Sequence, residues 1–201
     1  MSNGTSSGPS LREIGRDAVR GRITEIALDL FIERGFDQVT VEQIAAAAGM
    51  SARTFHRYFP AKEDVVIGDP AHGGKRVRDA LADRPLDEPV WDSLRASFEA
   101  LMSRSTQGVG AERGRLAMRV LGDSASLRAR GLEKHLLWAR MLTPLVAERL
   151  GGDDVELRAE IIVQSAIACF DVALTAWANA DDDTTVAELL ERGFATLRPQ
   201  G

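Results

Sequence analysis

One cysteine, Cys169, is all the chain has. A lone thiol excludes an internal disulfide framework and a multi-cysteine metal site, and it suits a reducing compartment; its simplest use is as a small buried apolar residue. Aromatic side chains are also scarce, at 5% of 201 residues. Valine and isoleucine do not gather into alternating runs, and no Asn-Gly or Asp-Gly separates two such runs. That excludes the hairpins of a β-sheet and predicts an all-α chain, rich in alanine, leucine, arginine and glutamate. No long uninterrupted hydrophobic run is present either. The most apolar stretch, Ile161 to Trp177, is broken by Gln164, Ser165, Asp171 and Thr175, which predicts a helix buried all round rather than a membrane span. The first ten residues, MSNGTSSGPS, lack a signal peptide's apolar core and predict a disordered arm on a cytoplasmic protein.

Recognisable catalytic chemistry is missing as well. His56, His72 and His135 are scattered without a His-x-x-x-His or Glu-x-x-His partner, and no serine sits in an elbow motif. Gly108, Gly110 and Gly114 do not have the G-x-G-x-x-G spacing, and no strand precedes them. The expectation is therefore no catalytic residue, no metal ligand and no cofactor. Positive charge is in deficit overall, with 25 basic and 30 acidic residues and a formal charge of -5. The deficit is uneven. Residues 63–201 hold 17 bases and 23 acids, which argues against a nucleic-acid surface there, whereas Gln43 to Lys62 contains Arg53, Arg57 and Lys62 and no acid at all.

That acid-free stretch belongs to the most informative segment, Thr40 to Lys62. Thr40 followed by Gln43 has the spacing of a capping box, Val39 and Ile44 flank it as a hydrophobic staple, and Ile44, Ala45 and Ala48 give a compact apolar face, so a helix is predicted from Val41. Gly49 can take the left-handed conformation that ends it, and Ser51 can cap a second helix over Ala52 to Phe59. In that second helix Phe55 and Phe59 fall four apart and face inward, which leaves Arg53, Thr54, His56, Arg57 and Tyr58 for the outer surface. Upstream, Val19, Ile23, Ile26, Ala27, Leu30 and Phe31 form a stripe that covers the pair, with Gly35 after its last turn. Helix, turn and helix with a basic outer face is an arrangement for entering a DNA groove.

The segment Arg22 to Val66 resembles the N-terminal domain of the TetR (tetracycline repressor) family. The likeness rests on an arginine-led first helix, a Gly-Phe before the threonine cap, the IA-x-x-AG-x-S core, the TF-x-x-YF recognition helix and the lysine after it. The resemblance implies that Thr40 caps the second helix and touches a phosphate, and that Ser51, Tyr58 and Lys62 also grip the backbone. It places Ala52, Arg53, Thr54, His56 and Arg57 where base edges are reached. Arg53 suits a guanine, because its fork matches the O6 and N7 acceptors, and Arg57 has a phosphate as its alternative. The implied organisation is an arm over residues 1–10, a helix-turn-helix domain over 11–62 and a helical effector-binding and dimerisation domain over 63–201.

Beyond Lys62 the pattern predicts helices near 61–67, 73–83, 89–103, 111–121, 125–150, 154–180 and 184–197. Pro70 and Gly73-Gly74 should break or kink the connecting helix, a candidate hinge. Trp91, Leu94, Phe98, Met102, Met118, Leu121, Leu137, Trp138, Met141, Phe170 and Trp177 are candidates to line an apolar effector pocket, with core filling as the competing use. Pro144 is a candidate bend beside it. The last two helices carry small or apolar faces, Ile162, Ala166, Cys169, Ala173 and Ala176 on one and Val186, Leu189, Leu190, Phe194 and Leu197 on the other, and the resemblance makes them a homodimer interface. The RP-x-x-EP segment at Arg84 to Pro89 and the Leu/Ala/Arg helices resemble TetR regulators associated with acyl-CoA-like ligands. This implies a small hydrophobic or acyl-type effector whose phosphates meet Arg113, Arg115 or Arg119. The expected function is a dimeric repressor of a palindromic operator, without membrane partners. The alternatives are an activator with the same fold, and a helical carrier or enzyme whose DNA binding is vestigial.

Overall fold

The computed structural model describes residues 10–102, 109–180 and 183–197; residues 1–9, most of the expected arm, lie outside the described residues. No strand occurs among the described residues, and the chain divides into two compact units, Met1–Val66 and Ile67–Gly201.

The first unit contains α1 (Leu11–Arg34), a 3-10 turn (Phe36–Gln38), α2 (Val41–Ala47), α3 (Ala52–His56) and the start of α4 (Asp64–Ile67). Ile23, Ala27 and Phe31 of the anticipated stripe are buried, joined by Leu28, while Val19, Ile26 and Leu30 are half-buried. They close over Phe36, Val39, Ile44, Ala45, Phe55 and Phe59, all buried. Truncating a phenylalanine as enclosed as Phe55 costs about 3–5 kcal/mol, so this small unit depends on each of its rings. Gly35 (φ 83°) and Gly49 (φ 70°) stand where the chain turns out of a helix in the left-handed region.

The second unit is built from α5 (Pro70–Ala82), α6 (Val90–Met102), α7 (Val109–Asp123), α8 (Ala125–Ala147), α9 (Val155–Asn179) and α10 (Val186–Thr196). Helix α9 is central and packs against α6, α7, α8 and α10. Its mean hydropathy reaches 1.7 over an 18-residue window, so length and composition alone meet the requirement of a membrane span, contrary to the expectation from the shorter run. The reason is that Gln164, Ser165, Asp171 and Thr175 do not outweigh the apolar residues around them, in a helix that continues unbroken from Val155 to Asn179. Half of that window is buried inside the fold, as a core helix requires.

The expected interruption at Pro70 and Gly73-Gly74 is corrected by the structure. The break falls earlier, at Gly68 (φ 80°), and Asp69 caps α5 by accepting from the amides of Ala71 and His72. Pro70 is the first residue of that helix, where its fixed φ and missing donor cost nothing. The two glycines lie inside α5 against α8: a Cβ on Gly74 would stand 2.8 Å from Trp138 Cδ1 and from Met141 Sδ, and one on Gly73 would stand 3.0 Å from Trp138 Cζ2. They permit a close helix approach. Pro144 falls in the last turn of α8, near its natural end.

Arg149 fastens the far end of α5. It donates to the carbonyls of Leu81 (2.6 Å), Arg84 (3.0 Å) and Pro85 (3.0 Å), filling the acceptors that a helix end leaves open. Nearby, Arg84 forks onto Glu88 (Nε to Oε2, 2.7 Å) and Ser93 donates to the same carboxylate. The Arg84 guanidinium, followed by the Ser93 hydroxyl, holds Glu88 down at about 2.

Candidate DNA interface and effector core

At the start of α2 both halves of the capping box are present: Gln43 N donates to Thr40 Oγ1 (3.3 Å) and Thr40 N donates to Gln43 Oε1 (2.9 Å). Glu42 next to it sits below the ordinary carboxylate range, through hydrogen bonding to its own backbone and then to the Thr40 side chain. Ser51 Oγ accepts from Thr54 N (3.2 Å) and lies 3.0 Å from Thr54 Oγ1, so the α3 cap is made as expected. Regular α3 ends at His56, earlier than the anticipated Phe59, with Arg57 still helical in its backbone.

Phe55 and Phe59 turn inward, their ring centroids 5.6 Å apart. Arg53, His56 and Arg57 are exposed and Ala52, Thr54 and Tyr58 half-buried; Ala52 to Arg57 lie on α3 and its C-cap with Tyr58 just beyond, while Thr40 caps α2 and Lys62 follows the helix. His56 Nδ1 pairs with Pro60 O (3.2 Å). The guanidinium groups of Arg53 and Arg57 have no hydrogen-bond or ion-pair partner among the described residues.

Lys62 behaves differently from its neighbours. Its ammonium donates to Phe36 O and Val39 O, both at 2.8 Å, and stands 4.1 Å from the Phe36 ring centroid. Two of its three donors therefore hold the 3-10 turn to the end of the recognition segment, and one is left for a phosphate.

Two arginines that the sequence reading did not single out anchor the same segment. Arg20 donates to Tyr58 O (2.5 Å) and covers the Phe59 ring at 4.5 Å, and Arg16 reaches Arg57 O (3.4 Å). Their i,i+4 spacing on the first helix was the available signal, because it puts both on one face over the open carbonyls of α3. Beside them Ser10, Arg12, Gly15, Arg16, Arg57 and Tyr58 line an open cleft of about 580 Å³.

In the second unit Phe98, Trp138 and Phe170 come together, with centroid separations of 4.8, 5.9 and 6.1 Å, beside the buried Leu94. Met102 and Met118 pack half-buried against this core, and Met141 lies at Gly74. Leu137 is half-buried on α8. Trp91, anticipated in the same group, points elsewhere: its indole donates to Phe194 O (2.8 Å) and its ring meets the Phe194 ring, fastening α6 to α10. Trp177 is covered by the Arg115 guanidinium at 5.1 Å. Arg115 and Arg119 donate to Ala180 O (2.6 Å) and Ala178 O (2.9 Å), at the end of α9, which corrects their expected place among ligand phosphates. The side chains of Arg113 and Leu121 lie outside the described residues.

The faces of α9 and α10 named for packing between chains are only partly open: Ala176 and Leu197 are exposed and Ile162 and Leu189 half-buried. Ala166, Cys169, Ala173, Val186, Leu190 and Phe194 are buried within the one chain, and Cys169 Sγ lies 3.6 Å from Gly193 O. The outward face of α9 carries Leu157, Ile161 and Val172 instead, each more than half exposed. Burial lifts the Cys169 thiol above its ordinary pKa, which suits an inert filler.

Residues 23–67 match the model of the bacterial regulatory proteins of the tetR family, and residues 88–200 match the MftR C-terminal domain. The chain is 30% identical to the HTH-type transcriptional regulator TcmR of Streptomyces glaucescens, over 98% of this chain and 90% of that protein. This chain belongs to the TetR family. TetR-family membership makes it a DNA-binding transcriptional regulator, with the helix-turn-helix in the first unit. It is also 26% identical to the putative mycofactocin biosynthesis transcriptional regulator MftR of Mycobacterium tuberculosis, over 89% of each chain. Among solved TetR-family structures, the Thermus thermophilus FadR repressor in complex with lauroyl-CoA aligns with a TM-score of 0.52 and 28% identity, over 88% of this chain and 91% of that one.

Proposed function

We propose that this TetR-family regulator is a repressor that binds a two-fold symmetric operator as a homodimer and is released by a small hydrophobic or acyl-type effector. In this reading residues 11–62 are the DNA-binding domain and residues 63–201 bind the effector and dimerise. The observation that carries it is the outer face of α3, where Arg53 and Arg57 are exposed without partners among the described residues, inside an acid-free segment. An ordinary solvated helix in a chain of net charge -5 has carboxylates within reach of its arginines; a groove-reading helix leaves the forks open for bases and phosphates.

Arg53 takes the base-edge role, with Ala52, Thr54 and His56 beside it, and Arg57 faces a phosphate. Thr40, Ser51 and Tyr58 position the backbone. Lys62 contributes mainly by holding the 3-10 turn, with its third donor toward a phosphate. The cleft lined by Arg12, Arg16 and Arg57 extends the basic surface along α1 and offers a second phosphate seat.

Dimerisation is supported by the outward apolar face of α9 and by the exposed Leu197 after α10, which a second copy would cover. The effector reading is supported by the aromatic cluster of the second unit and by the lauroyl-CoA carried by the Thermus thermophilus relative. A few kcal/mol of differential effector affinity between two head spacings is enough to release DNA. Cytoplasmic residence and the absence of catalysis belong to the same proposal.

Selection of bound duplexes from a random pool at near-physiological salt tests this directly. A two-fold symmetric motif, weakened by lauroyl-CoA, is the expected result; failure to enrich any sequence would remove the operator reading, and an asymmetric single site would remove the dimer.

A further inference from the structure

The inward stripe of α8 runs through Leu127, Gly131, Trp138, Leu142 and Val146, all buried. Lys134 lies on the same face, one turn from both Gly131 and Trp138. Its ammonium stands 5.0 Å from the Trp138 ring centroid. No ion-pair partner of Lys134 lies within contact distance among the described residues: Asp171, the acid whose field reaches it, is 3.0 Å from His135 Nε2. Desolvation pushes the Lys134 pKa below its ordinary value, and the attraction of Asp171 only partly opposes this. The side chain is half-buried, so the ammonium has a π face on one side, no matched acceptor among the described residues and access to an incoming anion.

Space exists for such a group. Gly131 is buried, yet a Cβ built on it would meet nothing within 4 Å. Burial with open room above the Cα means a small unfilled space beside α8, on the face that carries Lys134. From there Trp138 continues into the apolar wall of Phe98 and Phe170. Trp138 itself is fixed, because its indole donates to Pro70 O (2.8 Å) and its ring lies against Gly73 and Gly74. An occupant pressing on this ring presses on the first turn of α5, directly after the Gly68 break.

We propose that the space over Gly131 is an anion seat, in which the effector presents a carboxylate to Lys134 Nζ and lays its apolar chain along Trp138, Phe98 and Phe170. The proposal rests on the effector reading above and adds the chemical class: an amphiphilic carboxylic acid that buries its acidic end. A neutral molecule of the same length leaves the ammonium unmatched and binds less well.

The test titrates the full chain with dodecanoate, 1-dodecanol and lauroyl-CoA by calorimetry, and follows release of the selected operator in parallel. The wild type should prefer dodecanoate over dodecanol by about tenfold or more, the scale of one charge-assisted hydrogen bond. Lys134→Met should abolish that preference by weakening dodecanoate alone, Lys134→Arg should keep it, and Gly131→Leu should weaken both ligands while operator binding persists. Equal binding of acid and alcohol by the wild type, or an undiminished preference in Lys134→Met, overturns the anion seat; the effector reading then still stands if lauroyl-CoA releases the operator. No binding of any of the three ligands overturns both.

Discussion

On α3 of the first unit, Arg53 and Arg57 project guanidinium groups with no partner among the described residues, whereas Arg115, Arg119 and Arg149 of the second unit turn theirs onto carbonyls at the ends of α9 and α5. The same residue type thus stays open in one unit, as the proposed DNA contact requires, and serves construction in the other. The open carbonyls within reach decide which. At the end of α3 those acceptors are already met by Arg16 and Arg20 from α1, so the arginines of α3 have nothing to fold back on. In the second unit long helices end inside the fold, and an arginine that completes them removes unsatisfied acceptors.

The sharpest way to break the comparison is to remove a constructing arginine. Arg149→Met should destabilise the second unit by about 2–4 kcal/mol, because the Leu81, Arg84 and Pro85 carbonyls lose their side-chain donor, and thermal unfolding would register it as a fall in Tm. If Arg149→Met melts like the wild type, those contacts are ornamental and the contrast collapses.

Next comes a recognising arginine. Arg53→Ala should leave folding stability within about 0.5 kcal/mol of the parent, as surface changes do, yet lower affinity for the selected operator by about 1–3 kcal/mol and blur one position of the motif. A melting shift without a change in sequence preference would reverse the assignment.

Glycines sharpen the contrast further. Gly74→Ala drives a methyl into Trp138 and Met141 and should cost about 1–3 kcal/mol despite alanine's better helix propensity. Gly21→Ala in α1 meets nothing within 4 Å and should stabilise by about 0.5–1 kcal/mol. Chemical denaturation of the two variants should therefore move in opposite directions.

The smallest effect is acid-dependent. Glu88 is depressed to about 2 from an ordinary value near 4.5, so its contribution is fully present above the ordinary value and fades as pH falls from about 4.5 toward 2. Glu88→Gln should remove that part of the acid sensitivity and leave the neutral-pH operator affinity unchanged, which Tm measured against pH would show.

The reading unit was legible because its devices are local. A threonine three residues before a glutamine, a glycine at a helix end and a serine before the next helix act within one turn of chain, so spacing is enough to find them. The second unit was legible as helices but not as faces. Helix α9 is apolar nearly all round, and no periodicity says which side meets α10 and which looks outward. Trp91 read as pocket lining for the same reason: a tryptophan at helical spacing does not disclose that its N–H will find Phe194 O. Gly73-Gly74 read as breakers because propensity weighs only the helix itself, whereas their use depends on Trp138, far along the chain.

The sequence by itself therefore determined the all-α class, the capped helix pair and the exposed arginines of its second helix, since each follows from composition or from contacts within a few residues. Only the tertiary structure decided that Arg115 and Arg119 close α9, that Lys62 holds the 3-10 turn and that Gly73 and Gly74 admit the Trp138 ring. Those outcomes depend on which helix ends and faces meet across long stretches of chain, and packing sets them.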